Sequence, residues 1–169
     1  MTVHSKLNPI GIDKNILKFQ NKINAIGWTN IDVYGRLYIE EVNGQKIAKS
    51  HVGNGEYKEV FNDDQKTAVF GFFIGENRTG LNMIKVPVEL VCSCNLDSIY
   101  TTSERNDEEA LLEVLKIVKK LTLLDHEREI KTGFENVFSR ISTERLKWRD
   151  GHPWFTFSIL FDIVYKNEI

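Results

Sequence analysis

The sequence predicts an α+β protein: a mostly antiparallel sheet, an N-terminal helix, and one long amphipathic helix packed on the sheet. Two stretches, 86–95 and 155–166, follow the period-two pattern of strands with one buried face. Between them, apolar residues recur at helical spacing from Ala110 to Leu121. The second half of the chain therefore reads as strand, helix, strand.

The composition is that of one globular domain. Of the 169 residues, 41% are hydrophobic and 27% are charged. A chain of this length buries about 68–70% of the surface that its unfolded form exposes. We expect residues 1–11 to form an N-terminal arm, because Asn8-Pro9 and Gly11 oppose regular structure. Residues 12–169 should form a single α+β domain.

The composition does not indicate a membrane or secreted protein, and nucleic-acid binding would need a local basic patch. No apolar run reaches the roughly 20 residues of a membrane span, and the first residues lack a secretory signal pattern. The formal charge of −2 gives no overall attraction to phosphate backbones. Cys92 and Cys94 lie two apart on one strand, about 6.6 Å from each other, near the upper limit for a disulfide. We expect both to be reduced core residues.

The first elements are a helix and a hairpin. The helix should end near Gly27. It is predicted by apolar residues at helical spacing: Ile12, Ile16, Phe19, Ile23 and Ile26. Trp28 should then seal a core edge. Residues 33–42 and 45–52 flank Asn43-Gly44, which predicts a type I′ turn because both central residues need positive φ.

The pattern of the hairpin predicts which side chains share a face. One face of its first arm should carry Tyr34, Arg36, Tyr38 and Glu40, and the other Val33, Leu37 and Ile39. The second arm is more polar, which predicts an edge or a projecting element.

The next strands run over residues 57–61 and 66–74. The run 68–74 is apolar on both faces. Either this strand is central and covered on both sides, or one of its faces meets a partner subunit. The sequence does not decide between these arrangements.

Three features are predicted for the rest of the chain. Pro87 should lie at a strand start or an edge, because it has no N–H to donate. Asn106 should cap the long helix, with Glu109 closing a capping box. Residues 122–145 fit either a short helix around Phe134 or a strand with a bulge.

No cluster of residues specifies a chemistry, and we expect neither an enzyme nor a cofactor or metal. Residues 125–129 are densely charged, but neighbours along a chain point apart, so a solvated turn is favoured. His126 and His152 could meet with Asp125 around a ligand or metal. Trp148, Arg149 and Trp154 could stack bases, although a Trp anchor before a core strand is the favoured interpretation.

The element order resembles the tail-terminator and neck-connector family of tailed bacteriophages, small α+β proteins that form a ring joining the tail to the head-side connector. The resemblance lies in three segments: Val86-Pro87-Val88-Glu89-Leu90, Asn106-Asp107-Glu108-Glu109-Ala110-Leu111-Leu112 and Phe155-Thr156-Phe157-Ser158-Ile159.

This resemblance implies a structural protein of the virion, assembled in the host cytoplasm, with the tail tube and connector proteins as partners. A ring needs a pairable or apolar patch on each subunit. We expect the subunit interface at Val69, Phe70, Phe72, Phe73, Ile74, Tyr38 and Lys46. The alternatives are a small-ligand or hydrolase-like pocket near His126 and His152, and nucleic-acid binding through Trp148, Arg149 and Trp154.

Overall fold

The computed structural model describes residues 2–102, 104–122 and 129–168. The strands of this part of the chain are β1 (Thr2–Val3), β2 (Ile31–Val42), β3 (Gln45–Gly53), β4 (Glu56–Glu59), β5 (Ala68–Ile74), β6 (Met83–Asn95), β7 (Glu129–Thr132) and β8 (Trp154–Lys166). The helices are α1 (Gly11–Asn24), α2 (Leu96–Ile99), α3 (Asp107–Leu121) and α4 (Phe134–Val137), followed by a 3₁₀ turn at Thr143–Arg145. The predicted α+β class is confirmed.

All eight strands form one mixed sheet in the order β4-β3-β2-β5-β6-β8-β7, and β1 pairs beside the start of β2. The pairs β1–β2 and β2–β5 are parallel, and the others are antiparallel. The prediction of a mostly antiparallel sheet is therefore confirmed. The longest ladder joins β6 to β8, from Met83 opposite Lys166 to Asn95 opposite Trp154.

One face of the sheet is covered by helices. α1 buries four apolar side chains at helical spacing and lies against β2, while α3 packs beside α1 and reaches the sheet at β8. Trp28 seals the edge of this core as predicted: it packs against Phe70 with ring centroids 5.9 Å apart, and its indole N–H donates to Glu113 of α3 at 2.9 Å. Cys92 and Cys94 are free and buried on this face, which agrees with the prediction.

The opposite face is covered by the segment that follows β7. Phe138, Ile141, Leu146 and the fully buried Trp148 pack here against side chains of the central strands. Of the two predicted arrangements for residues 68–74, the structure has the first: β5 is central and covered on both sides. Of the two alternatives around Phe134, a short helix or a strand with a bulge, the structure has the short helix, a single turn over Phe134–Val137.

An irregularity in β2 reverses the predicted faces of Val33 and Tyr34 relative to the rest of the strand. The register with β5 shifts between Val33 and Arg36. Val33 consequently packs in the helix-covered core, whereas Tyr34 and Leu37 pack on the opposite face. The predictions that Val33 shares a face with Leu37 and that Tyr34 lies on the other face from Leu37 are both wrong, because an extra residue at a bulge moves all later side chains to the other side.

The hairpin itself forms as predicted, with Asn43 at φ 51° and Gly44 at φ 76°. Its second arm is not an edge, because β4 pairs with β3 and takes that position. Pro87 also lies inside the sheet instead of at an edge. Its carbonyl accepts from Gly75 at 2.8 Å, just beyond the last residue of β5, so the missing N–H of the proline falls where the β5–β6 ladder ends.

The capping box predicted at α3 does not form. The side-chain amide of Asn106 donates to Thr102 and to the carbonyl of Glu104 at 2.9 and 2.7 Å, and it makes no cap bond to the helix. The polar side chain ties down the preceding turn instead. Within the described residues, no helix combines the length and apolar character needed to cross a membrane.

Candidate functional site

An open groove of about 700 Å³ lies on the second face of the sheet, and we call it the sheet groove. It exists because the covering segment 134–148 protects only part of that face. The groove is lined by Glu129, Arg140, the end of β5 with the two residues after it, and the middle parts of β2, β6 and β8: Leu37, Tyr38, Ile39, Phe73, Ile74, Gly75, Glu76, Pro87, Val88, Glu89, Leu160, Phe161 and Asp162.

The floor of the sheet groove is apolar and partly open to solvent. Leu37 and Phe73 are buried at its base, and Ile39 is 43% exposed beside them. The floor therefore combines buried and exposed apolar side chains.

A buried carboxylate organises the wall of the sheet groove. Glu89 is 4% exposed, accepts a hydrogen bond from the Ser158 hydroxyl at 2.7 Å and pairs with Arg140 and with Lys131, the latter at 3.6 Å. The Arg140 guanidinium also lies over the Phe73 ring, 4.9 Å from its centroid. A buried charge needs such partners, and here they fix the position of Arg140 at the rim.

Three of the predicted interface residues, Tyr38, Phe73 and Ile74, line the sheet groove. Three others lie inside the subunit: Phe70 and Phe72 are fully buried under the helices, and Val69 is buried on the opposite face. These three side chains have no surface to offer a partner, because β5 is a central strand covered on both sides. A strand that is apolar on both faces therefore contains core residues as well as groove residues.

Lys46, the last predicted interface residue, lies outside the sheet groove. Its side chain is exposed, and its backbone exchanges two hydrogen bonds with Ser142: Lys46 N donates to the Ser142 hydroxyl at 2.9 Å, and Ser142 N donates to the Lys46 carbonyl at 2.8 Å. These bonds attach the β2–β3 hairpin to the covering segment.

His152 lies in a second, smaller pocket of about 290 Å³. Its Nε2 is 3.0 Å from the Asp97 carboxylate at the start of α2, and both side chains are well exposed. Trp154, Asp107 and Asp150 contribute to the walls. The proposed companions Asp125 and His126 lie outside the described residues. The carboxylate that the structure places beside His152 is that of Asp97, which was not predicted.

The predicted base-stacking cluster is only partly accessible. Trp148 is 0% exposed and meets Trp154 edge to face at 5.2 Å, so it serves as a core anchor and has no free ring face. Arg149 donates to the carbonyls of Leu146 and Trp148. This is the arrangement favoured from sequence, an aromatic anchor before the last strand.

In the described part of the chain, no three His, Cys, Asp or Glu side chains are grouped to hold a metal ion. Sequence reasoning missed Glu89 and Arg140. The signal for Glu89 was a charged residue within the otherwise apolar centre of β6, whereas Arg140 is brought to it from 51 residues further along the chain. Searches of known protein families, curated proteins and solved structures find no match to this chain.

Proposed function

We propose that the chain is a structural protein of a phage tail or neck, which forms a homo-oligomeric ring that ends the tail and joins it to the head connector. In this proposal the protein acts by assembly and not by catalysis. The resemblance of the element order supports it, with α3 as the long amphipathic helix that turns its apolar side to the subunit body. The protein would assemble in the host cytoplasm and remain in the virion.

The observation that carries the proposal is the sheet groove. A ring requires two different patches on each subunit that fit one another head to tail. The groove supplies one patch, with an apolar floor and four carboxylates in its lining. Glu89 pairs with Arg140 and Lys131, and Asp162 pairs with Lys85 at 3.1 Å. The four carboxylates are Glu76, Glu89, Glu129 and Asp162.

The N-terminal arm supplies a complementary patch. Leu7 and Ile10 are 88% and 72% exposed, and Lys6 beside them carries a positive charge. The arm pairs with β2 through β1 and then leads into α1. An apolar and basic arm fits an apolar and acidic groove, and because the two patches differ, the contact would be heterologous and could close into a ring.

The assembly state tests this proposal directly. Light scattering on a sizing column, followed by negative-stain microscopy, should show rings of several subunits with a central channel, either alone or after addition of the tail tube protein. A free monomer at high concentration, with the tube protein present, would contradict the proposal.

A pair of variants tests the two patches separately. Leu7→Asp and Ile39→Asp should each abolish rings, because each places a charge in an apolar contact. A mixture of the two should form dimers only, since one intact arm and one intact groove remain. Leu112→Asp is the matched control: Leu112 is 48% exposed on α3, close to the 43% of Ile39, and lies outside both patches. Rings that persist in both variants would show that the arm and the sheet groove are not the assembly surfaces.

The pocket at His152 favours a second candidate, a small-ligand binding or hydrolase-like function. The observation is the 3.0 Å contact between His152 and Asp97, because a carboxylate can orient an imidazole for proton transfer. Hydrolysis of a panel of simple aryl esters and phosphate esters should then fall at least tenfold in His152→Gln. Equal rates for both proteins would reject this candidate.

A further inference from the structure

We propose that a cavity beneath the N-terminal arm binds a small anion through phosphate or carboxylate oxygens. This cavity of about 200 Å³, which we call the arm cavity, lies between the arm, α1 and the corner where β2, β3 and β4 meet. The site shares Lys6 with the arm patch and Tyr38 with the sheet groove that are proposed for ring assembly, and it is separate from the pocket at His152.

Two histidine nitrogens in the arm cavity lack hydrogen-bond partners. His4 Nε2 and His51 Nδ1 are buried atoms, and neither is bonded within the described residues. The nearest carboxylate oxygen to His4 Nε2 belongs to Asp32 at 3.9 Å, which is too long for a hydrogen bond. A buried polar atom without a partner costs about 1–3 kcal/mol, so an absent partner is indicated. Oxygen atoms of an anion would accept from both rings.

The charges around the arm cavity leave a positive excess. The Asp13 carboxylate pairs with two cations, Arg36 at 2.7 and 3.0 Å and Lys6 at 3.4 Å. Asp32 is shared with Lys66, whose ammonium lies 3.5 Å from it. Within the cavity itself, one carboxylate therefore faces two cations, which favours an anionic ligand over a cation.

The walls hold these groups in place before any ligand arrives. The buried Gln20 side chain donates to the carbonyls of His4 and Val33 at 2.7 and 3.1 Å, and so attaches the arm to β2. The Tyr57 ring meets His51 edge to face at 5.5 Å. His4 itself is stacked on Tyr34 with ring centroids 4.4 Å apart. Fixed donors around a small space reduce the ordering entropy that binding must offset.

The test is a titration of the intact protein with sodium phosphate and, separately, sodium acetate, at constant ionic strength maintained with sodium chloride. Long-range ¹H–¹⁵N NMR reports the ring nitrogens of each histidine. The resonances of His4 and His51 should shift along saturating curves, whereas those of His152 should not. The melting temperature should rise with the concentration of the bound anion. The salt that saturates at the lower concentration identifies phosphate or carboxylate as the better ligand.

A variant pair sharpens the result. His51→Phe keeps a planar ring but removes a nitrogen donor, and should weaken binding at least tenfold. His152→Phe, made in the other pocket, should bind as the wild type does. If the chemical shifts of the His4 and His51 ring nitrogens follow ionic strength without saturating, the proposal is wrong and water is the occupant of the cavity. Equal affinity in His51→Phe and wild type would also overturn the assigned site.

Discussion

The two faces of the sheet are covered by different structures. On the helix-covered face, α1 and α3 bury a continuous apolar layer in which Phe70, Phe72, Leu90 and Phe157 are fully inaccessible. On the other face, the cover is a single helical turn and an irregular segment, and it leaves the sheet groove open. The first face holds the fold together, whereas the second combines a smaller core with a surface available to a partner.

This difference separates two contributions of apolar residues, one to the stability of the fold and one to association with a partner. An apolar residue that is inaccessible contributes to stability, at about 25 cal/mol per Å² of buried apolar surface. Residues such as Ile39 that remain exposed add little to the free energy of folding, but they can contribute to association. A comparison of mutations on the two faces should therefore separate effects on unfolding from effects on assembly.

The largest expected effect is on the helix-covered face. Phe70→Ala should lower the free energy of unfolding by about 3–5 kcal/mol, because it leaves a cavity next to Trp28 that the helices cannot close. Phe134→Ala, at the half-buried edge of the second face, should cost about half as much. Urea unfolding measures both values. Equal losses would mean that the two covers contribute equally.

The next effect concerns the buried carboxylate of the sheet groove. Replacing both of its cations, in Arg140→Met with Lys131→Met, should destabilise the protein by about 2–4 kcal/mol, since Glu89 then stays buried without a counter-charge. Adding Glu89→Met should recover most of this loss. Chemical unfolding of the double and triple variants tests the prediction, and a triple variant no more stable than the double one would contradict it.

A smaller, pH-dependent effect is expected at the arm. Burial lowers the pKa of His4 below 6.5, outweighing Asp32, which raises this pKa, while Lys58 and Lys66 lower it further. The unfolded chain therefore binds a proton more readily than the folded one as the pH falls below about 6.5. The stability contribution linked to His4 is complete above that pH and declines below it.

The measurement is a comparison of wild type with His4→Phe. The variant keeps a ring on Tyr34 but cannot be protonated, so its free energy of unfolding should fall less between pH 7 and pH 5 (roughly one and a half pH units below the ordinary histidine value). Parallel curves for the two proteins would show that His4 resists protonation no more in the folded state than in the unfolded one.

The smallest effect on stability is expected for the assembly variants. Ile39→Asp and Leu112→Asp should each change the free energy of unfolding of the monomer by about 0.5 kcal/mol or less, because both positions are already exposed. Only Ile39→Asp should change the assembly state. A large loss of stability in Ile39→Asp would place this residue in the core of the second face.

Local patterns account for the parts of the fold that were predicted correctly. The helix before Gly27, the Asn43-Gly44 turn and the long strands β6 and β8 each follow from spacing or turn chemistry within a few residues. Errors had two origins. At Asn106 one local hydrogen bond competes with another, because its side chain bonds to the turn before the helix instead of capping the helix. At Pro87 a distant contact decides, because this central strand tolerates a proline where β5 ends beside it.

The candidate sites were less accessible from sequence. Tyr38, Phe73 and Ile74 were named because of their apolar or aromatic strand context, and all three line the sheet groove. The same reasoning also named Phe70 and Phe72, which are core residues. The arm cavity was missed completely, since His4 and His51 are 47 positions apart and neither belongs to a sequence motif.

The sequence by itself determined the fold class, the positions of the main strands and helices, and the reduced state of the two cysteines, because period, turn residues and spacing are local properties. Only the tertiary structure decided which face each strand presents, where the cover stops, and which charged groups meet. A period of two shows that a strand has two faces, but the bulge in β2 and the packing of segment 134–148 assign those faces to core, groove or cavity.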